Sequence, residues 1–355
     1  MIRAVIADDS AFLRQVLTDV LDESGRIKVV GQAKNGKEAV ALVKEHKPDV
    51  LILDVEMPVM TGLQALRQVM EEHPLPVFMF SSLTHEGASV TIKALEYGAV
   101  EFLPKPMGGA HSLDTVSDEL IQKITCVARQ KRFSAHGGAQ PPRSAQSGAA
   151  PVTRRPGAAP RSISRRNISL IAMGSSTGGV QAAMKVVPKL PAATRPIVWV
   201  QHMPPNFTKS FADRLNSISQ MKVKEAEDGE RIEPGVCYLA EGGKQMRLKK
   251  RGASFFIQAG GSEKVTGHCP SCDVLFKSAA DYFNSDLLGV ILTGMGNDGT
   301  EGLVTLHSQG AFVIGQSEPT CVVYGMPRAA CEAGAVDVEL DIDKIAEGIV
   351  QAGGA

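Results

Sequence analysis

The chain has 355 residues, 43% of them hydrophobic and 21% charged, with 38 Lys/Arg set against 38 Asp/Glu. That length exceeds one ordinary core and points to two domains. No apolar run reaches the roughly 20 residues that cross a bilayer. The start, "MIRAVIADDS", puts an aspartate pair where an export signal would continue its apolar stretch. A cytoplasmic location without membrane insertion is therefore the expectation.

From Ile2 the chain alternates short apolar runs with longer amphipathic ones. "RAVIADD" precedes "FLRQVLTDVLDES", "KVVGQA" precedes "KEAVALVKEH", and "DVLILDV" precedes "GLQALRQVMEEH". "PVFMFSS" then leads to "GASVTIKALEYG", and "VEFLPKP" to "DELIQKITCVARQ". Five strand–helix pairs with short connections predict a five-stranded, doubly wound parallel sheet over residues 1–129. Strand C-termini of such a sheet share the edge where ligands bind. Asp8 and Asp9 follow the first predicted strand and Asp54 ends the third. Ser81 closes the fourth, and Lys105 follows the fifth in "LPKP". Three carboxylates on one edge repel one another unless a hard cation sits among them, and Mg²⁺ suits oxygen ligands. In the plain alternative, Asp8 and Asp9 only cap a helix and Lys105 is a solvated loop residue. That leaves the alignment of five such residues at one edge without a cause.

This constellation resembles the receiver domain of two-component response regulators. The resemblance implies phosphorylation of Asp54 by a partner histidine kinase. It also implies Mg²⁺ held by Asp9, Asp54 and the backbone carbonyl of Glu56, with Asp8 helping to position it. Ser81 and Lys105 would contact the phosphoryl group and relay its arrival. The aromatic often found in the last strand of such domains is Phe102 here rather than tyrosine.

Residues 130–166 are rich in Gly, Ala, Pro, Ser and Arg and nearly lack large apolar side chains. Such a segment buries too little surface to offset its ordering entropy and reads as a flexible tether. Between Cys126 and Arg166 there are nine Lys/Arg and no Asp/Glu, which leaves 29 basic against 38 acidic residues elsewhere. The basic tether admits contact with nucleic acid or an anionic surface, but a solvated linker explains it as simply.

A second alternation fills 167–355, with "NISLIAMG", "PIVWVQH", "GVILTG", "AFVIGQ" and "AVDVEL" as its apolar runs. A larger Rossmann-like α/β domain is expected. Its insertion, "GVCYLAEGGKQMRLKKRGASFFIQA", reads as antiparallel hairpins that turn at Gly-Gly and Arg-Gly. "IAMGSSTGGV" reads as a buried strand entering a helix through a tight turn. It completes neither the spacing of a dinucleotide fingerprint nor the Gly-Lys-Ser/Thr of a P-loop. A nucleophile at a strand end is the better reading, and it needs a base and an orienting acid. His202 lies just beyond "IVWVQ", and Asp298 sits in the glycine-rich "GMGNDG" after another strand. Ser, His and Asp at one sheet edge form a candidate acyl-transfer triad.

"GSSTGG", "QHMPPNFT", "PSCDVLFKSAA", "LTGMGNDG" and "GMPRAA" resemble the catalytic domain of the chemotaxis protein-glutamate methylesterases, the CheB family. Those proteins carry the same order of receiver and esterase. The resemblance implies Ser176 (rather than Ser175) as nucleophile, His202 as base and Asp298 as orienting acid. Met295 would lend a backbone N–H to the oxyanion hole, with Thr177 nearby. The implied substrate is the methylated cytoplasmic helix of a chemoreceptor, with glutamine deamidation as a side activity and no cofactor for the ester chemistry. Cys269 and Cys272 stand where the family usually has arginine and valine, and the lone C-x-x-C reads as buried or incidental thiols rather than half a zinc site. The alternative for the C-terminal half is a DNA-binding transcriptional effector, which predicts a compact basic helical module. A receptor-anchored scaffold with a vestigial site is a third reading.

Overall fold

The computed structural model describes residues 1–81, 85–105, 110–129 and 163–355; most of the expected tether lies outside them. The first unit runs β1 (Ile2–Ala7), α1 (Ala11–Glu23), β2 (Ile27–Ala33), α2 (Gly36–His46), β3 (Val50–Asp54) and α3 (Gly62–Glu72). It continues through β4 (Val77–Ser81), α4 (His85–Glu96), β5 (Glu101–Pro104) and α5 (Ala110–Arg129). The sheet order is β2-β1-β3-β4-β5, and every pairing is parallel. Strands β3 and β4 are buried along their whole length, which is why they read as unbroken apolar runs rather than alternating ones. Local chemistry starts the helices. Ser10 accepts from the Leu13 N–H and Asn35 from that of Glu38, and Thr61 with Gln64 forms a capping box before α3.

The second unit runs β6 (Leu170–Ser175), α6 (Gly179–Val186), β7 (Ile197–Gln201), α7 (Phe207–Ile218), β8 (Lys222–Glu225) and β9 (Val236–Leu239). Next come β10 (Gln245–Arg251), β11 (Ser254–Gly260), α8 (Cys272–Ala280), β12 (Leu287–Ile291) and α9 (Thr300–Ser308). β13 (Phe312–Gln316), α10 (Met326–Glu332), β14 (Val338–Leu340) and α11 (Ile342–Ile349) complete it. Seven parallel strands lie in the order β14-β13-β12-β6-β7-β9-β8, and β10 and β11 form a separate antiparallel hairpin. The chain order reverses around β6, which has β7 on one side and β12 on the other. Its C-terminal end is thus a topological switch point, as is that of β1 between β2 and β3.

The insertion differs from expectation in one respect. The Arg251-Gly252 turn closes a hairpin, but the Gly242-Gly243 turn does not: β9 pairs in parallel with β7 and β8 inside the main sheet. A Cβ on Gly242 would meet the Pro204 backbone at 2.6 Å and the Met203 carbonyl at 2.7 Å. That glycine is needed where the chain passes the loop after β7, not to reverse a hairpin. At the other end of the unit, the Arg166 N–H donates to the Ala352 carbonyl at 2.9 Å and the Arg166 guanidinium lies over Phe312.

Among the described residues the two units pack on each other at two places. The Phe102 ring stacks on Phe207 at 4.3 Å, Gln181 donates to the carbonyls of Ala99 and Val100, and Arg214 pairs with Glu96. Elsewhere Met295, Val322 and Val323 join the apolar cluster of Leu120, Ile124 and Val127 from α5.

A Cβ at Gly62 would lie 1.8 Å from the Asp54 carbonyl oxygen. Gly62→Ala is expected to destabilise the first unit by roughly 3 kcal/mol through overpacking. Hydrogen-exchange mass spectrometry checks this: amides of β1 and β3 should exchange faster, while those of β6 and β12 should not change.

Candidate active site

Two clusters occupy the two switch points. In the first unit, the carboxylate oxygens of Asp8, Asp9 and Asp54 lie within 4.8 Å of one another. The Lys105 ammonium bridges two of them, 2.9 Å from Asp8 and 2.7 Å from Asp54. A small cavity of about 150 Å³ opens between Asp9, Asp54, Val55, Glu56 and Lys105. Burial pushes the Asp54 carboxyl up to about 6, aided by the neighbouring charge of Asp8 and opposed by Lys105 and the Glu56 N–H. An all-oxygen donor set with surplus negative charge beside a cavity fits a hard divalent cation. Ser81 is fully buried at the end of β4, where its hydroxyl accepts from Thr91 at 2.8 Å.

In the second unit, the register Ser175↔Gln201 lines up the ends of β6 and β7. Ser176 and His202 are therefore the next residues on two adjacent strands. The His202 N–H donates to the Ser175 carbonyl, and the Gln201 amide donates to the carbonyls of both Ser176 and His202. These bonds fix the two strand ends relative to each other. The paired serines have separate surroundings. Ser175 is fully buried, donates to Gln201 Oε1 at 2.7 Å and accepts from Trp199 Nε1 at 2.8 Å. Among the described residues, the Ser176 hydroxyl makes no hydrogen bond.

His202 Nε2 lies 2.8 Å from Asp298 Oδ2. An ionised carboxylate only accepts, so Nε2 carries a proton, and in the neutral imidazole the lone pair is then at Nδ1. Nδ1 is buried and has no hydrogen-bond partner. No hydrogen bond joins it to Ser176 in this arrangement, as is common in enzymes without bound substrate.

Asp298 is the most heavily supported side chain of the cluster. Its Oδ1 accepts from Thr266 at 2.6 Å and Ser271 at 2.7 Å, and its Oδ2 accepts from the Cys272 N–H at 2.6 Å as well as from His202. Burial by itself would raise this carboxyl, but the bonds from His202, Thr266 and Ser271 hold it well below the usual range.

The glycine-rich loop reaches Ser176 directly. A Cβ on Gly294 would lie 2.8 Å from the Ser176 Cβ and 2.2 Å from Met326 Sδ, so only glycine fits. Gly294 is held by bonds to Val323, Gly325 and Met326, and Met295 is the next residue. Thr177 is buried, and its hydroxyl has no partner.

Three contributors escaped the sequence reading. Thr266 and Ser271 clamp Asp298, and His268 stacks on His202 at 3.8 Å with an interplanar angle of 13°. Burial, with the adjacent His202, pushes His268 down to about 4, so it stays uncharged against the imidazole. All three lie in or directly before "GHCPSC", where hydroxyls and a histidine outside any motif spacing carry no signal of their own.

The response regulator receiver domain family matches residues 4–117, and the CheB methylesterase family matches residues 171–349. A protein-glutamate methylesterase/protein-glutamine glutaminase of Salmonella typhimurium is 42% identical over 346 residues, covering 98% of this chain and 95% of that protein. One of the same name from Halalkalibacterium halodurans is 44% identical over 352 residues, with 99% and 98% covered. The crystal structure of the Thermotoga maritima CheB methylesterase catalytic domain superposes with a TM-score of 0.51 at 42% identity, covering 52% of this chain and 98% of that one. With a receiver domain in front and the methylesterase domain behind, the chain belongs to the CheB methylesterase family.

Proposed function

We propose that the chain hydrolyses glutamyl γ-methyl esters on the cytoplasmic helices of chemoreceptors, deamidates receptor glutamines at the same site, and is switched by phosphorylation of Asp54. The observation that carries the hydrolase reading is the His202–Asp298 link, with its proton at Nε2 and its lone pair at Nδ1. In this mechanism the Ser176 hydroxyl attacks the ester carbonyl carbon while His202 Nδ1 takes its proton. Asp298 holds the tautomer and stabilises the imidazolium. The oxyanion is met by backbone N–H groups of the Met295 loop, each worth roughly 3 kcal/mol of barrier. His202 returns the proton to the departing methoxide, and methanol leaves. A water activated in the same way then frees the glutamate from Ser176. Thr177 lines the oxyanion side. An amide carbonyl fits the same geometry, with ammonia leaving in place of methanol. Among the described residues no compact basic helical module supports the DNA-binding alternative, and the CheB methylesterase match over residues 171–349 does not favour it.

In the receiver, Asp54 is the phosphoryl acceptor, and a histidine kinase is the donor. Asp9, Asp54 and the Glu56 carbonyl would hold Mg²⁺, positioned by Asp8. When bound, this ion supplies neutralisation of the charge on the incoming phosphoryl group. Lys105 and Ser81 meet that group once it is attached. The closed packing supports an autoinhibited ground state, because Met295 of the proposed oxyanion loop packs against an apolar cluster that includes Leu120, Ile124 and Val127 of α5. Phosphorylation then shifts the population toward an open arrangement. Phe102, one strand from Ser81 and stacked on Phe207, is the coupling side chain this reading favours.

Methanol release from methylated receptor membranes, with and without a phosphodonor, tests the assignment. Asp298→Asn should lower kcat by about 10⁴-fold, the size seen when the orienting aspartate of a serine triad is neutralised. Ser176→Ala should abolish turnover, whereas Ser175→Ala should retain the chemistry and lose about 1–3 kcal/mol of stability from its broken buried network. If Ser175 rather than Ser176 proved indispensable to turnover, the nucleophile assignment would fail.

Asp54 supplies a second expectation. Its folded carboxyl titrates near 6, above its unfolded value of 3.8. The folded state therefore binds more protons between these values, and stability falls as pH rises through that window. In EDTA at pH 7, Asp54→Asn should be about 1–2 kcal/mol more stable than wild type, and the gap should close near pH 4. Adding Mg²⁺ at pH 7 should stabilise wild type alone. Urea unfolding at the two pH values reads both effects.

Finally, Phe102→Ala should raise the unphosphorylated esterase rate and shrink the further gain from the phosphodonor, by several-fold in each case. An unchanged basal rate with full stimulation would remove Phe102 from the coupling.

A further inference from the structure

Cys272 brings to the triad a group that ester hydrolysis does not use. Its fully buried thiol lies 3.8 Å from Nε2 of His202, the nitrogen that also lies 2.8 Å from Asp298 Oδ2. One nitrogen, one sulfur and one carboxylate oxygen thus lie within 4.8 Å of one another. Imidazole, thiolate and carboxylate are the three common protein ligand types of zinc, which binds nitrogen at about 2.0–2.1 Å and sulfur at about 2.3 Å. To admit the ion between them, the His202–Asp298 contact needs to widen by only roughly 0.5 Å.

We propose that His202, Cys272 and Asp298 form an inhibitory site for a thiophilic divalent cation, with zinc the best match, which silences the esterase by occupying the link between base and orienting acid. The inference rests on the triad reading above. In the resting site, Nε2–H donates to Asp298, and the lone pair at Nδ1 is the base. Metal coordination takes an electron pair at Nε2, so the ring proton relocates to Nδ1. The Cys272 S–H bond breaks, its proton goes to solvent, and a metal–sulfur bond forms. With Nδ1 protonated, the imidazole has nothing with which to accept the Ser176 proton. Thiolate and carboxylate together neutralise the ion, so the buried cluster carries no net charge. The cation is neither oxidised nor reduced. Valine at position 272 would leave two ligands instead of three, so the sensitivity belongs to chains with cysteine there.

Metal-stripped full-length protein is titrated with ZnCl₂ while methanol release is followed. In parallel, without substrate, it is titrated with CoCl₂ while the near-ultraviolet thiolate-to-cobalt absorption is read. Zinc should inhibit wild type, and EDTA should reverse the inhibition. Cys272→Val and Cys272→Ser, each measured against its own metal-free rate, should need about 100-fold more zinc, since even outer-shell partners are worth 10–100-fold. Both should lack the thiolate-to-cobalt band, and Cys269→Ala should keep it. Equal zinc sensitivity in wild type and both Cys272 variants, zinc stimulation, or a wild-type cobalt spectrum without the thiolate band would each overturn the proposal. The cobalt spectrum needs no turnover, so it separates failure of the metal site from failure of the triad reading.

Discussion

The second domain depends on keeping one carboxylate charged in a place that excludes water. Asp298 is almost wholly buried, and an ionised group there is tolerable only with its oxygens satisfied. The donors come from two separate stretches: Thr266, Ser271 and the Cys272 N–H, which run from the loop after β11 into the start of α8, and His202 beyond β7. Satisfying the charge therefore also fixes the loop, the helix start and the imidazole. The glycines of the Met295 loop complete the arrangement, because Gly294 alone allows the backbone to lie against Ser176.

The two aspartates at the two switch points show how surroundings set chemistry. Asp298 has several hydrogen-bond donors, and its carboxyl is held low. Asp54 has Lys105, shared with Asp8, the Glu56 N–H and two further carboxylates close by, and burial pushes its carboxyl up. A charge meant to stay fixed is given donors. A carboxylate left short of donors beside other carboxylates suits a cation or a further group that supplies what is missing.

The packing between the units joins these two chemistries. The strand carrying Phe102 follows β4, whose last residue is Ser81, and the Phe102 ring sits on the first residue of α7. α7 follows the "HMPPN" loop that leaves His202. On the other side, Met295 beside the candidate oxyanion position packs against the apolar cluster to which α5 contributes Leu120, Ile124 and Val127. A displacement of β5 or α5 thus has short, packed routes to both the loop after His202 and the candidate oxyanion loop.

Much of this was legible in the amino-acid order. Apolar runs alternating with amphipathic ones specify parallel sheets, because a strand covered on both faces cannot alternate. Strand-end placement then puts Asp8, Asp54, Ser176, His202 and Asp298 at sheet edges. What the order could not decide was anything that depends on which strands become neighbours. By local pattern Gly242 suits a hairpin turn, whereas with β9 beside β7 the glycine admits the backbone of the His202 loop. Ser175 and Ser176 are distinguished by the chain's own chemistry only once Trp199 and Gln201 are seen to engage the first. Thr266, Ser271 and His268 carry no motif of their own, since hydroxyls and imidazoles serve as surface groups almost anywhere. Their role arises from a close approach of segments about 30 residues or more apart along the chain, and such approaches are created by tertiary packing rather than by local pattern.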